Sequence, residues 1–331
     1  MYSKAKIAIL GSGSWATALA KIVMQNAEHI NWFFRDPDNI EKFKKVQHNP
    51  NYLRGIDFDI NRISFYSDIN KAVEGVDIII LAIPSAFLNE TFTNLTVKLN
   101  DKFVVSAVKG IIPEHNLIVG QYLNEYYNIP YNQIGVVTGP CHAEEVALEQ
   151  LSYLTVACQD VKKARAFAFL LDCPYIRTHV SSDIYGTEYS AVIKNIIAIA
   201  AGIAHGLRYG DNFQAVLISN AIQEIKRFVD KVHPITRDIK SSEYLGDLLV
   251  TAYSQFSRNR TFGTMIGKGY SVRFAQLEMH MIAEGYYAAK CIKEINEELK
   301  VNMPIAEAVY NILYENISPA IEFRLLTENL R

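Results

Sequence analysis

The sequence predicts an α/β fold in two parts, an N-terminal domain built on a parallel sheet and an all-α domain after it. Three observations carry this. Short apolar runs alternate with helical stretches through the first half, as strands buried on both faces do. A glycine turn follows the first run and opens a helix. From about residue 183 the strand signals stop and long helical patterns take over. A chain of 331 residues is long enough for two domains. The boundary is placed near Ser181-Ser182-Asp183, giving domains 1–182 and 183–331.

The first run, Lys6–Leu10, leads directly into Gly11-Ser-Gly-Ser-Trp-Ala16, and Thr17–Met24 reads as a helix. Strand, glycine turn and helix in this order form the dinucleotide fingerprint G-x-G-x-x-G/A, with Ala16 in the third slot. Gly11 permits the tight turn, Gly13 lets a pyrophosphate approach the backbone, and Ala16 keeps the helix close to the sheet. The helix N-terminus adds N–H donors and a positive dipole end to the phosphates. The domain is therefore expected to be of Rossmann type. The second strand, Ile30–Phe34, ends at Arg35-Asp36. Asp36 stands about 20 residues past the fingerprint, where an acid grips a ribose 2′-hydroxyl; an arginine there pairs with a 2′-phosphate. Strand alternation lets only one of the two face the ribose. Arg35 facing it points to NADP and Asp36 to NAD. The reading leans to Arg35 and leaves NAD open, as it leaves open that both are solvated charges flanking the Pro37 turn.

Further strands are expected at Val76–Ile83, ending at Pro84-Ser85; at Phe103–Val108, ending at Lys109-Gly110; and at Ile134–Thr138, ending at Gly139-Pro140-Cys141-His142. Leu154–Cys158 is a shorter one. Open parallel sheets bind ligands beyond the carboxyl ends of their strands. Pro84, Lys109 and Gly139–His142 all fall at such ends. Lys109 is thus either a ligand contact or a solvent-facing loop lysine.

In the second half, helices are expected at Tyr185–Ala204, Asn212–Val232, Ser271–Leu299 and Pro304–Glu315. The small residues of Ala198–Ala204 permit close helix–helix contact, which puts the first of these helices at the domain's centre. Lys194 and Asn195 are the only strongly polar members of Tyr189–Ala204. A buried ammonium is costly unless paired. Such a lysine titrates below its usual value of about 10.4 and exchanges protons near neutrality. The other reading is a lysine that snorkels to water from a helix face. Two more polar groupings stand out: Gly246-Asp-Leu-Leu-Val-Thr251 and Ser257-Arg-Asn-Arg-Thr-Phe-Gly263. In the second, the arginine fork with neutral Asn and Ser donors suits a phosphate. A solvated loop and a capped helix start fit the same residues.

Composition excludes several classes. A net charge of −2 argues against a broad nucleic-acid surface. Lys4 and Lys6 lead straight into a strand and a glycine loop, unlike a signal peptide. No apolar run reaches the roughly 18–20 residues of a membrane span. Cys141, Cys158, Cys173 and Cys291 are scattered and read as free thiols in a reducing cytoplasm. The eight histidines lack metal-ligand spacing, so no metal site is expected.

Taken together, these segments resemble the bacterial-type NAD(P)-dependent glycerol-3-phosphate dehydrogenases. The matching stretches are Gly11–Ala20, Ser106–Ile111, Gly139–Val146, Ile193–Gly202 with Gly206–Asn212, Gly246–Thr251, and Ser257–Gly263 with Gly267-Lys-Gly269. They follow the family's order over nearly the whole chain. The resemblance implies a Rossmann-type domain followed by an all-helical domain related to that of 6-phosphogluconate dehydrogenase. It implies reversible interconversion of dihydroxyacetone phosphate and sn-glycerol 3-phosphate with NADP or NAD, feeding phospholipid synthesis. By the same resemblance Lys194 is the catalytic lysine, Asp247 orients it or a substrate hydroxyl, and Lys109 supplies a second positive centre. Ser14, Trp15, Arg35, Lys109, Ala143, Arg258, Ile282 and Glu284 match cofactor contacts, alongside Gly11 and Gly13 of the fingerprint. Lys109, Gly139, Cys141, Lys194, Asp247, Ser257, Arg258 and Asn259 match substrate contacts.

Three departures from the family pattern stand out. Ala16 replaces the third glycine. Cys141 and His142 replace a small hydroxyl residue and an aromatic, and a thiol is a weaker hydrogen-bond partner. Lys231–Tyr244 replaces a glycine-rich approach to Asp247, which leaves the surroundings of that acid open. Competing functions are a hydroxyacid or phosphosugar-acid dehydrogenase of the same architecture and a non-catalytic NAD(P)-sensing module. The apolar helical domain is compatible with a homodimer.

Overall fold

The computed structural model describes residues 5–279 and 283–331. They form two compact units: residues up to Val108 with Val119–Ile184, and Lys109–Ile118 with Tyr185–Arg331.

In the first unit the chain runs β1 (Ile7–Leu10), α1 (Ser14–Val23), β2 (Ile30–Phe33), α2 (Pro37–Val46), β3 (Ile63–Tyr66), α3 (Ile69–Val73), β4 (Ile78–Leu81), α4 (Ser85–Phe92) and β5 (Phe103–Ser106). The short strands β6 (Ile111–Ile112) and β7 (Leu117–Ile118) belong to the second unit. The first unit resumes with α5 (Val119–Tyr127), β8 (Ile134–Thr138), α6 (Ala143–Ala147), β9 (Ser152–Ala157), α7 (Val161–Leu171) and β10 (Ile176–Ser181). The eight-stranded sheet has the order β10-β9-β8-β5-β4-β1-β2-β3. From β3 to β8 every pairing is parallel, the doubly wound arrangement, with the order reversing between β1 and β4.

The sheet is mixed rather than wholly parallel, because β9 runs antiparallel to β8. Gly139, the residue after β8, lets β9 come close. Its φ is +119°, and a Cβ there would stand 2.6 Å from the Tyr153 carbonyl oxygen. The sequence reading has no strand at β3 or β10. Both are sheet edges and partly exposed, so their residues lack the continuous apolar run of the central strands.

The second unit is helical: α8 (Ile184–Gly206), α9 (Asp211–Val232), α10 (Asp247–Tyr253), α11 (Arg258–Gly267), α12 (Val272–Glu278), α13 (Glu284–Leu299), α14 (Pro304–Leu313) and α15 (Pro319–Thr327). As the small residues predict, α8 is the core helix, with Ile193 and Ile196–Ala201 wholly buried. It meets α11 backbone to backbone. A Cβ on Gly202 would strike the Arg260 carbonyl, and one on Gly263 would strike the Ile199 carbonyl. Among the described residues α8 is the one helix long and apolar enough to cross a membrane, and 89% of that stretch is buried. The single helix expected over Ser271–Leu299 is instead α12 and α13, with Met279 and Ala283 outside both.

The segment 109–118, placed by the sequence within domain 1–182, groups with the helical unit. Its strands pair antiparallel, Ile111 with Ile118. Both side chains are buried in the helical core, and that apolar burial is what draws the segment there.

Candidate active site

In the first unit the fingerprint is built as a phosphate-binding turn. Gly11 has φ +123°, and a Cβ would stand 2.5 Å from the Ala82 carbonyl oxygen on the neighbouring strand's extension. Its own carbonyl accepts the indole N–H of buried Trp32 at 2.8 Å. Gly13 is the N-cap of α1, has no side-chain cap, and a Cβ there would meet nothing within 4 Å. A helix start without a side-chain cap, with open space before it, fits a dinucleotide pyrophosphate. Ser14 is buried, Trp15 is half-buried, and fully buried Ala16 lets α1 lie against the sheet. Buried Asn49 braces the turn by donating to the Ser12 carbonyl at 3.0 Å and the Thr17 hydroxyl at 2.8 Å.

At the end of β2, Asp36 is the N-cap of α2. Its carboxylate accepts from the Asp38 amide at 3.0 Å and from the Asn39 side chain at 2.9 Å. Arg35 is exposed, its guanidinium 5.7 Å from the centre of the Phe87 ring. The acid is therefore occupied by its own helix, and the arginine presents its charge outward. At the end of β8, Gly139 and buried Cys141 lead to Ala143, the first residue of α6, which packs on α1.

In the second unit Lys194 is 4% exposed. Its ammonium lies 2.5 Å from Asp247 Oδ1 and 3.0 Å from Thr251 Oγ1. The Thr251 hydroxyl donates in turn to the Asp247 carbonyl at 2.6 Å. Lys109 Nζ stands 3.4 Å from both Asp247 oxygens. The Lys109 carbonyl accepts from Asn195 Nδ2 at 2.6 Å. Two lysines thus share one buried carboxylate. Burial pushes the Lys194 amine down to about 7; Asp247 opposes the shift and Lys109 adds to it. Burial alone would raise the Asp247 carboxyl, but the two lysines hold it below the usual carboxylate range. Asp247 is thus an anion while Lys194 changes protonation near neutral pH. The burial of Lys194 and the two partners of its amine exclude the snorkelling reading.

The divergent approach to Asp247 is ordered. Arg237 pairs with Asp230 of α9 and donates to the His233 carbonyl at 2.8 Å, while Ile239 and Tyr244 enter the helical core. One turn of π-helix, Ser242–Gly246, then delivers Asp247 as the first residue of α10. Such turns recur at functional sites.

Ser257 is a helix N-cap, its hydroxyl accepting the Arg260 amide at 3.3 Å. The segment is thus a capped helix start and not a solvated loop. Arg258 begins α11 and is exposed. Buried Asn259 accepts the Gly285 amide through Oδ1 at 2.9 Å, so Asn259 and Glu284, neighbour of Gly285, are brought together. A Cβ on Gly285 would stand 2.5 Å from the Asn195 carbonyl oxygen, which sets the start of α13 directly on α8 beside Lys194. Ile282 lies outside the described residues.

Comparison with known proteins decides the family. Residues 6–164 match the family model for the NAD-dependent glycerol-3-phosphate dehydrogenase N-terminus, and residues 183–323 match that for its C-terminus. The chain belongs to the NAD-dependent glycerol-3-phosphate dehydrogenase family. Similar proteins include the NAD(P)+ glycerol-3-phosphate dehydrogenase of Oceanobacillus iheyensis, 34% identical over 95% of this chain and 91% of that protein. The Staphylococcus aureus enzyme is also 34% identical, over 95% of each chain. The crystal structure of glycerol-3-phosphate dehydrogenase from Coxiella burnetii superposes with a TM-score of 0.90 at 27% identity, over 98% of this chain and 99% of that one. The family's two-part architecture, a nucleotide-binding sheet domain and a helical domain, is the one observed here.

Sequence reasoning about this glycerol-3-phosphate dehydrogenase family member missed three supporting residues. Thr251 was legible: it stands four positions after Asp247, and such positions share a helix face. Asn195 stands beside Lys194 but carries no sign of its bond to the Lys109 carbonyl. Asn49 carries no local signal, because its partners belong to the fingerprint turn.

Proposed function

We propose that the chain catalyses the reversible NAD(P)-dependent reduction of dihydroxyacetone phosphate to sn-glycerol 3-phosphate, in the cytoplasm, as a supply for glycerophospholipid synthesis. The observation that carries the chemistry is a buried lysine bonded to an anion that a second lysine shares, an arrangement in which burial pushes the Lys194 amine down to about 7. Four buried free cysteines suit a reducing compartment.

In this reading residues 1–182 serve nucleotide binding and 183–331 the substrate, with 109–118 contributing Lys109 to the helical part. Gly11, Gly13, Ser14 and Trp15 would hold the pyrophosphate and Arg35 the adenosine ribose, with Ala143, Arg258 and Glu284 completing the cofactor contacts. The bound nicotinamide supplies or accepts a hydride. During ketone reduction negative charge grows on the substrate oxygen, and protonated Lys194 donates a proton to it. During alcohol oxidation neutral Lys194 takes that proton back. Asp247 fixes the amine and keeps both lysines close. Lys109 adds a second positive charge and lowers the Lys194 pKa toward working pH. Arg258, Ser257 and the free amide N–H groups of Asn259 bind the phosphate, with Gly139 and Cys141 beside the substrate. Remote phosphate binding then holds the carbonyl in place for reaction.

The test is an initial-rate assay with purified protein, dihydroxyacetone phosphate and either NADPH or NADH, against a panel of 3-hydroxy acids and phosphosugar acids each supplied with NADP+ or NAD+. Oxidation of the reduced nucleotide is expected with dihydroxyacetone phosphate, and faster with NADPH. Turnover of a carboxylate substrate instead, or of none, would overturn the reading.

A further inference from the structure

Lys109 lies at the root of a hairpin, not on the helix that carries Lys194 or the one that carries Asp247. Its placement therefore depends on what fixes that hairpin. One hold is local, the bond from Asn195 to the Lys109 carbonyl. Another, added to the burial of Ile111 and Ile118, is at the hairpin's far end. There Asn116 takes the left-handed conformation, φ +54°, and its amide donates to the Ile112 carbonyl at 2.9 Å, closing the turn. Its side-chain amide reaches α13 and donates to Glu294 Oε2 at 2.7 Å. The other Glu294 oxygen faces Lys290 at 3.7 Å, one turn back on the same helix. The β6 strand itself packs against α13. At its first turn α13 is seated on the Asn195 carbonyl through Gly285. One helix thus touches both ends of the Lys109 support.

We infer that Glu294 is a positioning residue for the reaction: through Asn116 it anchors the hairpin that holds the Lys109 ammonium against Asp247. This rests on the reading of Lys194 as the acid–base group. The groups facing the Lys194 amine are Asp247, Lys109 and the Thr251 hydroxyl. Of these only Lys109 reaches the site from the hairpin, so loosening the hairpin withdraws one positive charge and leaves Asp247 in place. With that charge withdrawn, Lys194 holds its proton more tightly.

The experiment compares Glu294→Ala, Glu294→Gln and Lys194→Ala with the parent protein, all as full-length chains well below their melting temperatures. In Glu294→Ala the acid limb of kcat for glycerol 3-phosphate oxidation is expected to move up by about half to one pH unit, the scale of moving one charge a few ångströms in a protein interior. Glu294→Gln keeps an oxygen to accept from Asn116 and should restore the parent profile. A folded Glu294→Ala protein with an unmoved pH profile overturns the inference, as does a Gln variant no better than Ala. Failure of the underlying reading looks different: Lys194→Ala would itself retain turnover.

Discussion

Lys194 and Asp247 are 53 positions apart in sequence, and their side chains meet at 2.5 Å inside the helical unit, where neither is more than 5% exposed. A fully formed ion pair in such surroundings gives up the hydration of both partners, and its mutual attraction offsets this only in part. A second lysine on the same carboxylate tilts the balance further toward a neutral amine. The protein is thus able to hold a proton or release it at one atom with little change in free energy. A proton donor working in both directions needs that property.

Removing that atom is the most direct check. Lys194→Ala should lower turnover in both directions by about 10²–10⁴, the usual scale for a general acid–base group. Lys109 stays beside Asp247 and compensates the buried carboxylate, so the variant should remain folded, as circular dichroism and nucleotide binding would report. A folded variant with near-normal kcat would remove Lys194 from the mechanism.

The pH dependence follows from the direction of the Lys194 shift. Reduction needs the protonated amine, so kcat for dihydroxyacetone phosphate should fall as pH rises through about 7. Oxidation needs the neutral amine and should rise over the same interval. Asp247 raises the Lys194 pKa, whereas Lys109 lowers it. Asp247→Asn should therefore drive both limbs to lower pH, leaving reduction active only under acid conditions. Limbs that stay in place would mean that the kinetic group is not Lys194.

The sequence shows the central sheet and the helical half because both depend on local signals: continuous apolar runs for strands buried on two faces, and a helical period for the rest. Edge strands β3 and β10 escape notice because one side of each meets water. The antiparallel run of β9 against β8 has no local signal, and the positive φ of Gly139 beside it is one that its residue type permits but does not dictate. At the site, Lys194 shows itself by chemical contrast with its apolar neighbours, and Asp247 by a lone acid ahead of an apolar run. Their contact does not show, nor does the Glu294–Asn116 tie, because each joins elements distant in sequence through side-chain geometry alone.

The seam between α8 and α11 offers a stability test. A Cβ on Gly263 would overlap the Ile199 carbonyl, and backbone on both sides leaves no side chain to swing away. Gly263→Ala should cost about 3 kcal/mol or more, as overpacking at a rigid contact does. At an unfolding entropy of roughly 2 cal/mol/K per residue, that corresponds in a chain of 331 residues to a fall of roughly 4 °C or more in melting temperature. Because α8 carries Lys194, kcat should fall along with stability. An unchanged melting curve would show that the two helices can part at little cost.

Glu224 on α9 makes stability depend on pH. Its carboxylate is fully buried and accepts the Ile305 and Ala306 amides at the start of α14, at 2.6 and 3.3 Å. Burial pushes it up from 4.5 to about 7 against those two bonds. A group raised on folding contributes its full stability below its unfolded pKa and loses it as pH climbs through the folded one. The protein should lose on the order of 3 kcal/mol between about pH 4.5 and 7 from this group. Glu224→Gln keeps an acceptor for Ile305 and carries no charge. Urea melts at pH 5 and pH 8 should show a smaller pH difference in the variant. Equal differences would place the linkage elsewhere.

Gly13 separates a binding role from a folding one. Its φ of −77° and ψ of −177° suit any residue, and a Cβ there would meet no protein atom within 4 Å. Gly13→Ala should therefore fold with a melting temperature within a few degrees of the parent, since the change at a helix N-cap costs only a fraction of a kcal/mol to about 1 kcal/mol. The space that the methyl group enters is the space through which a pyrophosphate must approach the N–H groups of α1. Affinity for NADPH and NADH should fall about tenfold or more, a loss of at least about 1.4 kcal/mol, in a direct titration of nucleotide fluorescence. Gly11→Ala makes the contrast. There φ is +123° and the Ala82 carbonyl blocks the new atom, so stability and binding should fail together. Were Gly13→Ala to bind nucleotide as tightly as the parent, the turn after β1 would not be where the phosphates sit, whatever its resemblance to a fingerprint.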